Sequence, residues 1–446
     1  MRSRAWLPRR RVGTGGNERK RTIRPTWLWE GPVSPGRVVW AMGAVAAAST
    51  LMAVGSSNAA AAQKCGGAPI KVMTIASLSG SLATFGNDIP NAAKAAEDAA
   101  NRGCSIGRPL EVTVCDDEST ANGAAQCGTE AKQDGYLALV GFTEGSGNSD
   151  QGALAAQLPA VFNAWNTAWD GDSKLSYVSW AQQAQAPATI DVAKALGVKA
   201  LTLVGVDIAP LQLVASFVQP LTVAAGLGYT QVFFAPTTTD FSATAAQILA
   251  DPTGAISIYD QSPTPLVDEL QSLGANFTQR PMIYGEGIIS PQVIASTSAL
   301  SGAYDVGQVV SSAATSNPAI AEMRSQFKAA GIPFSSNISL DGVHEWSAVH
   351  DLAAALAGLK GSAIKSLTSA KLVKAVVDHG LYNTASEAPF NFQKRASFTN
   401  PLLSKAYAAD RVYSTKYVVL QVHNGVEKPV TGWEDENKAF TLNSGT

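Results

Sequence analysis

Charge is scarce in this chain. Only 15% of its 446 residues are Asp, Glu, Lys or Arg, and the basic ones gather at one end. Positions 1–37 hold ten basic and two acidic side chains, which leaves 23 basic against 33 acidic for the remainder. So acidic a remainder lacks the clustered Lys and Arg that phosphate contacts need, and nucleic acid is excluded as a partner. Cysteine is rarer still: there are four, with no CxxC pair, and the four histidines (His344, His350, His379, His423) lie far from them in sequence. That spacing argues against a zinc site. No GxxxxGK[ST] and no GxSxG occurs, and in HEWSAVH the position four after His344 is Ala348, where a helical metal pair needs its second His. In GSGNSD, Asp150 stands where a dinucleotide loop needs its third Gly. These absences leave catalysis, as a secreted hydrolase, the minor reading, with no cofactor and no metal expected.

What the chain does have is apolar residues, 46% of the total, a globular proportion. From 38 to 55 it reads VVWAMGAVAAASTLMAVG, eighteen residues without a charge, behind Arg37 and ahead of small polar residues and the run Ala59 to Ala62. A basic lead, an apolar stretch and a small-residue exit describe a secretory signal over residues 1–62, cleaved near residue 60. A membrane anchor is the rival, because eighteen apolar residues nearly suffice to span a bilayer. The Ala-rich composition and the alanine run favour cleavage. The 37-residue lead is long for a signal and points to a later translation start. Gln63 and Lys64 precede Cys65, where a lipoprotein signal needs a small residue, so no lipid is expected there. In an exported chain an even number of cysteines implies disulfides. Cys65, Cys104, Cys115 and Cys127 allow three pairings, of which Cys65–Cys104 with Cys115–Cys127 is favoured, the second joining a strand end to the helix after it.

Beyond the leader, which leaves room for two domains of ordinary size, strand-like and helix-like runs alternate. IKVMTIA is followed by SLSGSLATFGND and then the helical NAAKAAEDAANRG; LEVTVCDD precedes ANGAAQCGTEAKQDG; YLALVG leads through FTEGSGNSDQG to ALAAQ, with LPAVFN as the next strand. The rhythm restarts near Val198 with KALTLVGVD, a helical PLQLVASFVQPLTVAAGLG, YTQVFFAP, DFSATAAQILAD, AISIYD, PLVDELQSLG and PMIYGE. Helices are expected at 318–330, 342–359 and 369–378, and TKYVVLQV before His423-Asn424-Gly425 reads as a strand pair. Strands that alternate with helices make a parallel sheet, and continuous apolar runs such as LTLVGV suit strands buried on both faces. The expectation is an α/β fold with two units of similar order.

In open α/β sheets, ligands lie beyond the carboxyl ends of the strands. That directs attention to four loops, at 77–86, 142–150, 207–210 and 285–287. Their Gly and Ser residues let backbone N–H groups approach a ligand, and each following helix presents unpaired N–H donors. Gly and Ser also make turns and caps, so the argument rests on several loops converging.

At this point the chain resembles the branched-chain amino-acid-binding proteins of ABC importers, over roughly residues 68–430. The segments that carry the resemblance are IKVMTIASLSGSLATFGNDIPNAAKAAEDAAN, RPLEVTVCDDESTANGAAQC, LALVGFTEG, PMIYGEG and EWSAVHDLAAAL. It implies the type I periplasmic-binding fold, two doubly wound parallel-sheet lobes joined by three hinge crossovers, with 63–186 and 312–400 in lobe one and 187–311 and 401–446 in lobe two. It implies an exported monomer that closes on a small amino-acid-like or polar solute and delivers it to an ABC permease in the membrane. A ligand sensor of the same fold is the alternative. Carried over by position, Phe85 is a pocket aromatic; Gly145 and Ser146 belong to the segment that holds a ligand carboxylate. Asn163, Trp165 and Thr167 lie in a second set of donors and acceptors. Glu286 falls where a carboxylate holds the ligand ammonium, and Tyr259 and Trp346 match aromatic positions. Two departures stand out: Glu144 occupies the loop expected to receive a carboxylate, and VDIAPLQL lacks the aromatic often found there. Glu144 and Glu286 with the Trp residues would suit a cationic or quaternary-ammonium ligand instead.

Overall fold

The computed structural model describes residues 65–141, 149–164, 174–180, 185–260, 262–285, 287–406 and 411–442. The first sheet takes β1 (Ile70–Ala76), β2 (Leu110–Asp116), β3 (Ala138–Val140), β4 (Ala160–Ala164) and β5 (Ser176–Trp180) in the order β2-β1-β3-β4-β5, every pair parallel. The second takes β6 (Ala200–Val206), β7 (Gly228–Phe234), β8 (Gly254–Tyr259), β9 (Met282–Gly285) and β10 (Tyr304–Gly307) in the parallel order β7-β6-β8-β9-β10. A small antiparallel pair, β11 (Leu381–Tyr382) and β12 (Phe390–Asn391), stands apart. Beyond β10 the second sheet continues antiparallel with β13 (Lys416–His423) and β14 (Val426–Pro429), and β15 (Glu434–Asp435) pairs with β13.

The continuous apolar runs are the central strands: in β1 only Lys71 is not buried, and β6 is buried from Ala200 to Gly205. One face of the first sheet packs on helices Ile89–Arg102, Pro318–Ala330 and Leu340–Ala357; the last is buried along almost its whole length. Side-chain oxygens of Thr120, Asn317, Ser339 and Thr368 cap helices by accepting N–H bonds of the first turn. On the opposite face, helix Ala121–Gln133 crosses helix Ser149–Ala156 at Gly128, where a Cβ would lie 1.9 Å from the Gly152 carbonyl oxygen. Only a bare α-carbon permits that approach.

The alternation read from the sequence is therefore the observed architecture, with elements added that include β5, β10, the pair β11 and β12, β15 and the helix Gln185–Ala195. The cysteines pair as Cys65–Cys104 and Cys115–Cys127, with Cα atoms 5.3 and 5.9 Å apart. Closing the 12-residue separation of the second pair stabilises by about 3 kcal/mol on the chain-entropy account. In β4 the ladder to β5 is irregular around Asn163, and Phe162 there has φ of 56°. The bulge turns the Phe162 ring into an aromatic cluster with Tyr382, Phe390 and Phe392.

The chain passes between the two sheets three times: after β5, after β10, and between β12 and β13. The second and third passages run beside each other. Val310 N–H donates to Ser386 O, Ala388 N–H to Gln308 O, and Val309 bridges Glu387 in antiparallel fashion. Among the described residues no helix is long and apolar enough to cross a membrane.

Candidate functional site

The order β2-β1-β3 reverses direction beside β1, so the loops after β1 and β3 flank the switch point where a doubly wound sheet receives its ligand. The loop after β1 is held from the end of β2. Asp116 Oδ1 accepts the backbone N–H groups of Leu78, Ser79 and Glu118 at 3.0, 3.1 and 2.8 Å. Asp117 Oδ1 accepts from the Ser77 hydroxyl and from Ser119 N, both at 2.7 Å. Ser119 Oγ in turn donates to Ser79 O and accepts from Leu82 N. Partial burial works against the Asp116 charge, yet these donors hold its carboxyl below the usual value, whereas desolvation dominates at Asp117 and pushes it up.

The end of β3 is held from the far side of the chain. Gly141 follows β3 with φ of 77°, and a Cβ on it would lie 1.9 Å from Glu345 Oε2. Glu345, fully buried in helix Leu340–Ala357, has Oε1 2.7 Å from the Thr74 hydroxyl, which also lies 3.0 Å from Val140 O. The neighbouring His344 is equally buried: its Nε2 is 3.1 Å from Gly141 O and its Nδ1 2.5 Å from Glu387 Oε1, on the third passage between the sheets. Burial raises the Glu345 carboxyl to about 7. It also works against a charged His344, but the adjoining Glu387 carboxylate, with Glu345 and Asp341 behind it, holds that imidazole above its ordinary value.

In the second sheet the corresponding ends carry Asp207, Asp260 and Gly285. Asp207 Oδ1 accepts from Gln212 Nε2, Asp260 Oδ1 from Ser262 N, and Gly285 O from Ile288 N. Tyr259, the last residue of β8, is partly buried, and burial raises its phenol well above the ordinary value. The Gln185 side chain is 5% exposed; its Oε1 would meet a Cβ on Gly285 at 2.6 Å, and its Nε2 is a buried donor with no partner among the described residues.

Of the residues expected from the sequence, Gly145, Ser146, Trp165, Thr167 and Glu286 fall outside the described residues, as do Glu144 and the side chain of Phe85. Phe85 itself stands in the short helix Ala83–Gly86 beyond β1. Asn163 is fully buried in β4, its Nδ2 donating to Ser176 Oγ at 3.1 Å, so its side chain belongs to the sheet. Trp346 is a correction. Its ring has no exposed surface, its Nε1–H donates to Gln326 Oε1 at 2.8 Å and its face stacks on His350, so it packs helix against helix. Sequence reasoning did not find Thr74, His344, Glu345, Glu387, Asp117 or Gln185. The one signal is the adjacent His344-Glu345 in a helix that also carries Asp341, His350 and Asp351, which sequence spacing tests only as half of a metal motif.

Two sheets of mainly parallel strands, packed with helices and joined by three connections, define the type I periplasmic-binding class of folds. A profile of the periplasmic binding protein family matches residues 69–407, and the chain belongs to that family. Among solved structures it is similar to a fatty acid ABC transporter substrate-binding protein from Thermomonospora curvata (19% identity, TM-score 0.66, covering 84% of this chain and 95% of that one). It is also similar to the leucine-binding protein LivK of Thermotoga maritima (20%, 0.63, 82% and 99%) and to a solute-binding protein of an R. palustris ABC transporter in complex with benzoate (17%, 0.63, 84% and 100%). At these identities the likeness speaks for the fold. No curated protein matches the chain by sequence.

Proposed function

We propose that this protein is the exported substrate-binding component of an ABC importer, a monomer that closes on a small amino-acid-like or related polar solute and passes it chemically unaltered to a membrane permease. In this reading residues 1–62 are a signal, 63–186 with 312–400 form one lobe and 187–311 with 401–446 the other. Phe85, Gly145, Ser146, Asn163 through its backbone, Trp165, Thr167, Tyr259 and Glu286 line the cleft.

The observation that carries the reading is the pairing of two chain passages at 308–310 and 386–388 between the two sheets. Paired strands of this kind can bend while each sheet stays intact, and hinged closure stabilises whichever state contacts the solute better. Among the similar structures, one is in complex with benzoate and another is a leucine-binding protein, which supports a carboxylate-bearing solute.

Thermal-shift screening of residues 63–446 against amino acids, aromatic and fatty acids, and quaternary amines tests it. A true ligand at 100 times its dissociation constant adds about 2.7 kcal/mol. Glu286→Ala then weakens an amine-bearing ligand by about 2 to 4 kcal/mol. Hydrolysis of a substrate without saturable binding would overturn the proposal.

A further inference from the structure

The cluster at the end of β3 has more acceptors than hydrogens unless it is protonated. The Thr74 hydroxyl has one proton and two oxygens within reach, Val140 O at 3.0 Å and Glu345 Oε1 at 2.7 Å. A carbonyl can only accept. If Thr74 donates to Val140, Glu345 must itself be the donor to Thr74, as a neutral acid. The alternative, an ionised Glu345 that accepts the Thr74 hydrogen bond, leaves Val140 O facing an oxygen lone pair, and places a full negative charge on a carboxyl whose Oε2 is buried without a partner.

The same count applies to His344. Gly141 O can only accept, so Nε2 carries a hydrogen; the Nδ1 contact with Glu387 then needs one further proton between ring and carboxyl. Among the described residues, the charged groups that act on His344 are acids: Asp341 and Asp351 on its own helix, Glu387 on the third passage, and Glu345.

We infer that Thr74, His344, Glu345 and Glu387 form a proton-loaded bracket that positions the Val140–Gly141 carbonyls at the switch point of the first sheet, so that solute affinity falls as pH rises above neutrality. The four are positioning residues. The inference rests on the reading that solute binds at the loop-bearing end of the first sheet, and it deepens that reading into a regulation. Loss of the Glu345 proton turns the Thr74 hydroxyl toward the carboxylate and releases Val140 O. Loss of the second proton removes either the tie from His344 to Glu387 on the third passage or the tie to Gly141. The position of the Glu345 carboxyl near 7 and the raised His344 value set the range in which this happens.

The test has two arms. In the ligand-free protein, carbon-13 NMR follows the Glu345 carboxyl and the Val140 and Gly141 carbonyls with pH. The expected result is one shared midpoint near neutrality, absent in Glu345→Gln, whose amide donates to Thr74 at every pH, and a Val140 signal independent of pH in Thr74→Val. A Glu345 carboxyl that titrates in the ordinary carboxylate range, or carbonyls that ignore it, overturns the inference; this measurement on the unaltered protein needs no variant to fold. In the second arm, calorimetry with L-leucine reads affinity, expected to fall about tenfold from pH 6 to pH 8.5 in the natural chain and to stay level in Glu345→Gln. An equal fall in both overturns the inference. Leucine that binds at no pH counts against the proposed ligand class and leaves the carbonyl titration to decide the bracket.

Discussion

The loop-bearing ends of the two sheets are built on different principles. In the first, nearly every tie reaches across the chain: Ser77 to Asp117 spans 40 residues, His344 to Gly141 spans 203 and Thr74 to Glu345 spans 271. In the second, Asp207 is bound by a residue five positions on and Asp260 by one two positions on. A turn closed by its own neighbours forms wherever the local sequence allows and stands or falls alone. A loop whose acceptors come from another strand or a distant helix is ordered only when the whole lobe is folded, and its fate is tied to global stability. The loop after β1 is thus set in place by the fold around it, while the Asp207 and Asp260 carboxylates close turns with their own neighbours.

The comparison breaks most sharply at Gly141. Gly141→Ala places a Cβ into the Glu345 carboxyl at a backbone angle that L residues avoid, and is expected to destabilise by about 3 kcal/mol or more, read as a lower urea midpoint. No such loss would mean that the β3 end yields freely. Asp116→Ala strips three backbone N–H groups of their acceptor and is expected to cost about 2 kcal/mol.

The pH dependence of unfolding follows next, and its sign is set by the raised groups. Glu345, lifted to about 7, and Asp351, lifted to about 6, bind protons more tightly folded than unfolded. Stability therefore falls as pH rises from the ordinary carboxylate values through these two. His344, also raised, adds a contribution that is complete below its unfolded value and lost as pH passes its folded one. The melting temperature should be higher at pH 5.5 than at pH 8, and Glu345→Gln should recover about 1 kcal/mol of the difference. A melting temperature that rises over that interval would contradict the burial of these acids. Smallest is Asp207→Ala, which removes a tie between exposed neighbours and should change the unfolding free energy read from urea titration by less than about 0.5 kcal/mol. An effect equal to that of Asp116→Ala would abolish the distinction between the two sheets.

The same division explains what could be read in advance. β1, β6 and β13 announce themselves as apolar runs because strands buried on both faces have no other composition open to them. β5, with Ser176 and Ser179 buried among its five residues, and β10, with buried Asp305, do not, since a buried polar group is stable only beside a partner that the local sequence cannot reveal. At Ser176 the partner is Asn163 on the next strand. Trp346 was legible as an aromatic but not as a packing one, because helix periodicity gives the face of a residue only after the neighbouring helix is known.

Local chemistry settled the alternation of strand and helix, the Gly and Ser loops and the caps that start the helices, since each depends on residues within a few positions of one another. Which carboxyl burial raises, which imidazole is hydrogen-bonded through both nitrogens and which carbonyls are held at the end of β3 were decided only when β1, β3, the helix Leu340–Ala357 and the passage through Glu387 came together. The physical reason is that protonation and hydrogen-bond satisfaction in a dry interior depend on distance in space, and the residues concerned lie more than two hundred positions apart in the chain.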